Sequence, residues 1–93
     1  MIRRAGDRFV LEGPVTMANV EAVLADGERV FDGSEVQIDL GGVTEVDSAA
    51  VSLLLEWSRR AQRKGQRLTF HNATANLRSL AALYGVSDVI QVA

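Results

Sequence analysis

The residues best placed to do chemistry lie in the stretch Val36 to Leu55, VQIDLGGVTEVDSAAVSLLL, where Asp47 and Ser48 set a carboxylate and a hydroxyl at the entrance of an apolar helix. Three tasks suit such a pair. Either side chain can cap the helix by accepting one of its free amide N–H groups. The hydroxyl can carry a phosphate, whose charge a helix N-terminus favours. Both can also meet a partner protein. Other chemistries lack the residues they need. Asp39, Glu45 and Asp47 are close in sequence, but they follow no recognised metal-ligand spacing, and acids at a strand end are usually solvated. Gly41-Gly42 is not followed by the Gly-Lys-Ser/Thr of a phosphate-binding loop, so it reads as a turn. The single His71 has no cysteine to join it in a zinc site, and no nucleophile motif accompanies it. No catalytic residue, no metal and no cofactor are expected, and the chain reads as non-enzymatic.

The elements that position Asp47 and Ser48 follow from the apolar pattern. Arg8 to Leu11 reads as a first strand, ended at Gly13-Pro14 because proline cannot donate to a ladder, and a second short strand includes Val15. Thr16 is set to cap a helix carrying Met17, Val20, Val23, Leu24, Val30 and Phe31, which stops at Asp32-Gly33 with Gly27 as a weak point in its middle. Val36, Ile38 and Leu40 alternate with Gln37 and Asp39, a strand with one less enclosed face. The helix opening at Ser48 turns Ala50, Leu53, Leu54, Trp57 and Ala61 to one side, flanked by Val51 and Ser58. Its other side holds Ser52, Glu56, Arg59, Arg60 and Arg63, with Leu55 an apolar residue among them. Lys64-Gly65 closes it with a left-handed cap. Arg67 to His71 reads as a strand, Thr74 caps a helix with Leu77, Leu80, Ala81 and Tyr84 on its apolar face, and Gly85 stops it. Val89 to Val92 reads as a short terminal strand or helix end.

Ninety-three residues, 47% of them apolar, fit one domain spanning 1–93 with a single core. Ten basic and twelve acidic residues give a net charge of −2, against a binder of nucleic acid that works by neutralising phosphates. The alternation Arg8-Phe9-Val10-Leu11-Glu12 interrupts any signal-peptide core, and no run approaches the roughly 20 apolar residues that span a bilayer, so a soluble protein without direct membrane insertion is expected. The basic group Arg59, Arg60, Arg63, Lys64 and Arg67 suits a solvated helix end, with anionic headgroups or an acidic partner as the alternative.

The order strand, strand, helix, strand, helix, strand, helix predicts an α/β domain with a mixed sheet and helices mainly on one face. The strand, the Gly41-Gly42 step and the VDSAAVSLLL helix entrance resemble the STAS domains of sulfate transporters and anti-sigma factor antagonists, over nearly the whole chain. The resemblance implies a STAS-like fold with a mixed four- to five-stranded sheet. Anti-sigma factor antagonists carry Asp-Ser-Ser-Gly at this entrance, with the second serine phosphorylated. Here Ala49 occupies that place, and alanine has no hydroxyl. Asp47-Ser48-Ala49-Ala50 instead resembles the stand-alone STAS subunits of Mla-type phospholipid-transport ABC complexes. That implies a cytoplasmic accessory subunit, peripheral to the inner membrane through its partner. It would bind the transporter's ATPase and meet the membrane permease only indirectly. The alternative is an anti-sigma factor antagonist switching partners with Ser48 as a non-standard phosphorylation site. A homodimer of the isolated chain stays open.

Small side chains at Ala49 and Ala50 let another protein approach the entrance, while Ser48, Ser52, Leu55 and Arg59 form a stripe with an apolar contact and a polar rim. The docking surface is therefore expected to comprise Asp47, Ser48, Ala49, Val51, Ser52, Leu55 and Arg59, with Ser48 both a contact and the cap.

Overall fold

A computed structural model describes residues 1–88. Its elements are β1 (Ile2–Ala5), β2 (Arg8–Val15), α1 (Val20–Val30), β3 (Glu35–Val46), α2 (Ser48–Lys64), β4 (Arg67–His71) and α3 (Ala75–Leu83). The strands lie in the order β1-β2-β3-β4, antiparallel in the first pair and parallel in the other two, so the sheet is mixed and four-stranded among the described residues. This is the α/β STAS-like fold that the element order and the resemblance predict. The tail expected at Val89 to Val92 lies outside the described residues.

Alternation along the strands decides the layers. Phe9, Leu11, Val36, Ile38, Leu40 and Phe70 are buried and share one core with Ala50, Leu53, Leu54 and Trp57 of α2 and Leu77 and Ala81 of α3. The residues between them carry the polar face. There Arg3 pairs with Glu12 at 2.8 Å and Arg8 with Asp39 at 3.8 Å, and His71 Nε2 lies 2.9 Å from Gln37 Oε1, so the histidine is satisfied.

Three sequence expectations need correction here. The first strand pair is β1 with β2, not Arg8–Leu11 with a strand at Val15: the chain reverses at Gly6, whose φ of 64° favours glycine, and β2 runs on through Gly13-Pro14. Pro14 is tolerated because the β2–β3 register shifts between Gly13 and Val15. Gly41-Gly42 is likewise not a turn. β3 continues through it, bulging between Asp39 and Gly42, where a Cβ on Gly41 would stand 3.1 Å from Asp39 Oδ1 and one on Gly42 3.0 Å from Glu12 Cγ. Close approach, rather than a left-handed backbone, explains these two glycines. Finally, α1 begins at Val20 after Asn19, so Thr16 is not its cap and Met17 lies outside the helix.

Gly27 does not break α1. A Cβ there would meet the indole of Trp57 at 2.6 Å, so the missing side chain is what lets α1 and α2 close on each other. Phe31 seals the contact edge-on, its ring centroid 5.1 Å from that of Trp57 and 5.2 Å from that of Phe9.

Candidate functional site

The entrance of α2 is organised by Asp47. Its Oδ1 accepts the N–H of Ala49 at 2.8 Å, which makes Asp47 the helix cap, while its Oδ2 accepts the N–H of Met17 at 3.1 Å. One carboxylate thus fixes both the start of α2 and the loop between β2 and α1. That loop is also held from within. Asn19 Oδ1 accepts from Thr16 N at 3.0 Å, Asn19 Nδ2 donates to Pro14 O at 2.8 Å, and Thr16 Oγ1 accepts from Ala18 N at 3.3 Å. The backbone is fixed, yet the Met17 side chain is 77% exposed.

Ser48, with its backbone in the first helical position, is exposed, and its hydroxyl makes no hydrogen bond within the described residues. It is not the cap, contrary to expectation, because Asp47 takes that role from one residue earlier. Ala49 at 9% exposure and Val51 at 3% also depart from expectation. Both side chains point into the core, so neither offers itself to a partner. Ser52 and Arg59 are exposed as expected, about one and about three turns along from Ser48. Leu55 is half-buried rather than projecting: it packs against the core and forms a wall shared by two grooves. One groove, of about 320 Å³, runs between α1 and α2 and is lined by Val20, Glu21, Leu24, Ser52, Leu55 and Arg59, among others. The other, of about 330 Å³, lies between α2 and β4 beside Leu68 and Phe70.

The basic group beyond Arg59 is not free charge. Glu56 Oε1 accepts from Arg59 and Glu56 Oε2 from Arg60, both at 2.8 Å, and Glu28 on α1 pairs with Lys64 at 3.1 Å and with Arg60 at 3.5 Å. The Arg60 guanidinium holds the Glu56 carboxyl below the usual carboxylate range, with Arg59 and Arg63 adding to it. With two glutamates inside the cluster, attraction to an anionic surface is much reduced. No group of three or more His, Cys, Asp or Glu side chains is arranged to hold a metal among the described residues, and Asp39 is occupied by Gly41 N and Asn72 Nδ2.

Residues 2–91 match the family described as Mlab, STAS domain. The chain belongs to this STAS domain family. Among solved structures, the anti-sigma factor antagonist SpoIIAA in its unphosphorylated form covers all of the STAS chain and is itself covered over 86%, with a TM-score of 0.73 and 18% identity. Moorella thermoacetica RsbS, in a serine-to-glutamate variant, gives 0.67 at 18% identity, over all of this chain and 84% of that one. At these identities the likeness establishes the fold alone. A structure of Mglu is 30% identical over 75% of this chain, with a TM-score of 0.58, and this chain spans 18% of that longer one. No curated protein matches. STAS domains of this kind are typically non-catalytic. No helix of the described residues is long and apolar enough to cross a membrane.

Met17, an exposed apolar side chain in the loop tied to Asp47, is a surface residue that the sequence reading placed in a helix. Its apolar side chain fitted the helical period of α1, and only the Asn19 start of that helix releases it to the surface. The available signal was Pro14 followed by Thr16 and Asn19, a turn-forming set.

Proposed function

We propose that this STAS domain is a non-enzymatic accessory subunit that docks on the ATPase of an ABC-type phospholipid transport system, supports its assembly or activity, and acts at the cytoplasmic side of the inner membrane through that partner. The observation that carries this reading is Ser48. It is an exposed hydroxyl with no partner in its own chain, at a helix entrance whose cap is already supplied by Asp47. Ser48, Ser52, half-buried Leu55 and Arg59 form one surface, and the Mlab family match is consistent with an ABC ATPase as the partner. Asp47 belongs to this surface as its organiser rather than as a contact.

The test is binding between the purified domain and the purified ATPase subunit of the cognate transporter. Wild type is expected to form a stable complex and Ser48→Lys to lose it while staying folded. A folded Ser48→Lys domain that binds as tightly as wild type would overturn the reading.

The same exposed Ser48 supports a second reading, an anti-sigma factor antagonist that switches partners on phosphorylation. Ala49 counts against it, since the position after Ser48 has no hydroxyl and its side chain is buried. Phosphate on Ser48 after incubation with a cognate kinase, read by mass spectrometry, would favour it over the transport role.

A further inference from the structure

We infer that the Asp32–Gly33 peptide, in the connection between α1 and β3, is a site of spontaneous covalent modification at which the chain converts to isoaspartate, and that the fold protects the identical dipeptide at Asp26–Gly27. The inference is independent of the docking role proposed above.

The reaction needs a carboxyl group one methylene from its own backbone and an unobstructed amide nitrogen on the next residue, which glycine offers because it has no side chain. The Gly33 nitrogen bonds to the side-chain carboxyl carbon of Asp32, and the amide hydrogen leaves with the carboxyl hydroxyl as water. The product is a five-membered succinimide. Water then adds to either ring carbonyl. Opening at the side-chain carbon restores aspartate, whereas opening at the main-chain carbon breaks the original peptide bond and leaves the chain running through the former side chain. No oxidant, metal or second protein takes part.

Three observations single out Asp32. Its side chain is 74% exposed, and Gly33 and Ser34 beside it are exposed as well, outside any helix or strand. The Gly33 N–H makes no hydrogen bond among the described residues, so no bond has to break before the nitrogen attacks. Nothing lies within 4 Å of the place a Gly33 Cβ would take, which leaves room for the ring. The opposite holds at Asp26–Gly27. Gly27 is buried in the middle of α1, its N–H committed to the helix ladder, and the indole of Trp57 packs against it. The Asp26 carboxylate is held by Arg29. Ring closure there requires α1 to open locally and part from Trp57.

Firm anchors on both sides make the change at Asp32 consequential. Phe31 N donates to Gly27 O at 2.9 Å and its ring lies edge-on to Trp57, while Gln66 Nε2 donates to Gly33 O at 2.9 Å and Arg67 N to Ser34 O at 2.8 Å. Isoaspartate inserts an extra methylene between these anchors. It also moves the carboxylate to a shorter arm, away from Arg4, which Asp32 meets at 3.3 Å.

The experiment incubates the full domain in mildly acidic buffer made with heavy-oxygen water, with a matched sample in the same buffer plus urea, and maps peptides by mass spectrometry. Ring opening leaves one solvent oxygen in the chain, which marks each position that has cyclised. In the folded domain the label is expected to enter at Asp32 at least about tenfold faster than at Asp26, and in urea the two positions are expected to label at similar rates. Asp32→Glu, whose longer side chain closes no five-membered ring, is expected to stay folded and to lose the label at position 32. Equal labelling of both positions in the folded domain, faster labelling of Asp26, no label at Asp32, or a label retained by Asp32→Glu overturns the inference. So does a preference for Asp32 that persists undiminished in urea, since the fold then selects nothing.

Discussion

Asp47 Oδ2 accepts the backbone N–H of Met17 across thirty residues of sequence, while the other oxygen of the same carboxylate caps α2 at Ala49. The loop before α1 and the entrance of α2 are thereby tied together, with the Met17 side chain exposed in that loop and Ser48 exposed at that entrance.

Asp47→Ala removes both acceptors and is expected to destabilise the domain by about 1–2 kcal/mol, as losing an N-cap does. Asp47→Asn keeps an acceptor for Ala49 but presents only one carbonyl oxygen, so the Met17 N–H loses its partner. Urea denaturation should order the three proteins as wild type, Asn, Ala. Amide exchange at Met17 should accelerate in both variants. Unchanged exchange at Met17 would show that the loop does not depend on Asp47.

Gly27→Ala would help a solvent-facing helix by about 1 kcal/mol. Here the new Cβ meets Trp57 at 2.6 Å, and the indole, being fully enclosed, has little room to give. Overpacking of this kind costs about 1–3 kcal/mol, so a net loss of stability is expected. Trp57 is the single tryptophan, which makes its fluorescence a direct reading of the disturbance. A stabilised Gly27→Ala would refute the close α1–α2 contact.

Charge on the α2 surface should abolish docking without unfolding the domain. Ser52→Lys changes an exposed side chain on the proposed contact surface and is expected to weaken ATPase binding by about tenfold or more. Leu55→Glu should do the same, but since Leu55 is half-buried its thermal stability must be measured alongside. Retained binding by a folded Ser52→Lys domain would shift the contact away from this face.

Acid should weaken the fold through two exposed carboxylates. Hydrogen bonds from Arg3 to Glu12 and from Arg60 to Glu56 lower the pKa of each glutamate in the folded state. A lowered folded pKa means that the unfolded chain binds more protons, so stability rises with pH through the carboxylate range. This contribution is complete above the ordinary glutamate range and is lost as pH falls through the lowered folded values. Glu56→Gln should therefore shallow the acid limb of a melting-temperature profile measured between neutral and strongly acidic pH. An acid limb identical to that of wild type would remove Glu56 as a contributor.

Much of this architecture is legible in the chain itself, because it rests on local rules. Period-two alternation at Val36, Ile38 and Leu40, and the 3.6-residue spacing of Ala50, Leu53, Leu54, Trp57 and Ala61, predict which faces are buried, and all of these residues are buried. The Gly65 and Thr74 caps follow from residue type in the same way: Gly65 has a φ of 71°, and Thr74 accepts from Leu77 N. The helix entrance at Asp47-Ser48 is equally plain.

Tertiary structure alone decided what depends on distant segments. β1 acquires its strand conformation by pairing with β2, and β3 bulges between Asp39 and Gly42, where Asp39 and Glu12 leave little room for a Cβ on either glycine. Val51 joins the core and Ala49 is buried beside it, so more of α2 is covered than a single apolar stripe implies. Met17 is tied to the entrance of α2 through a hydrogen bond from its backbone N–H to Asp47. A periodic pattern records what each residue prefers along its own element, and a contact across thirty residues leaves no period to read.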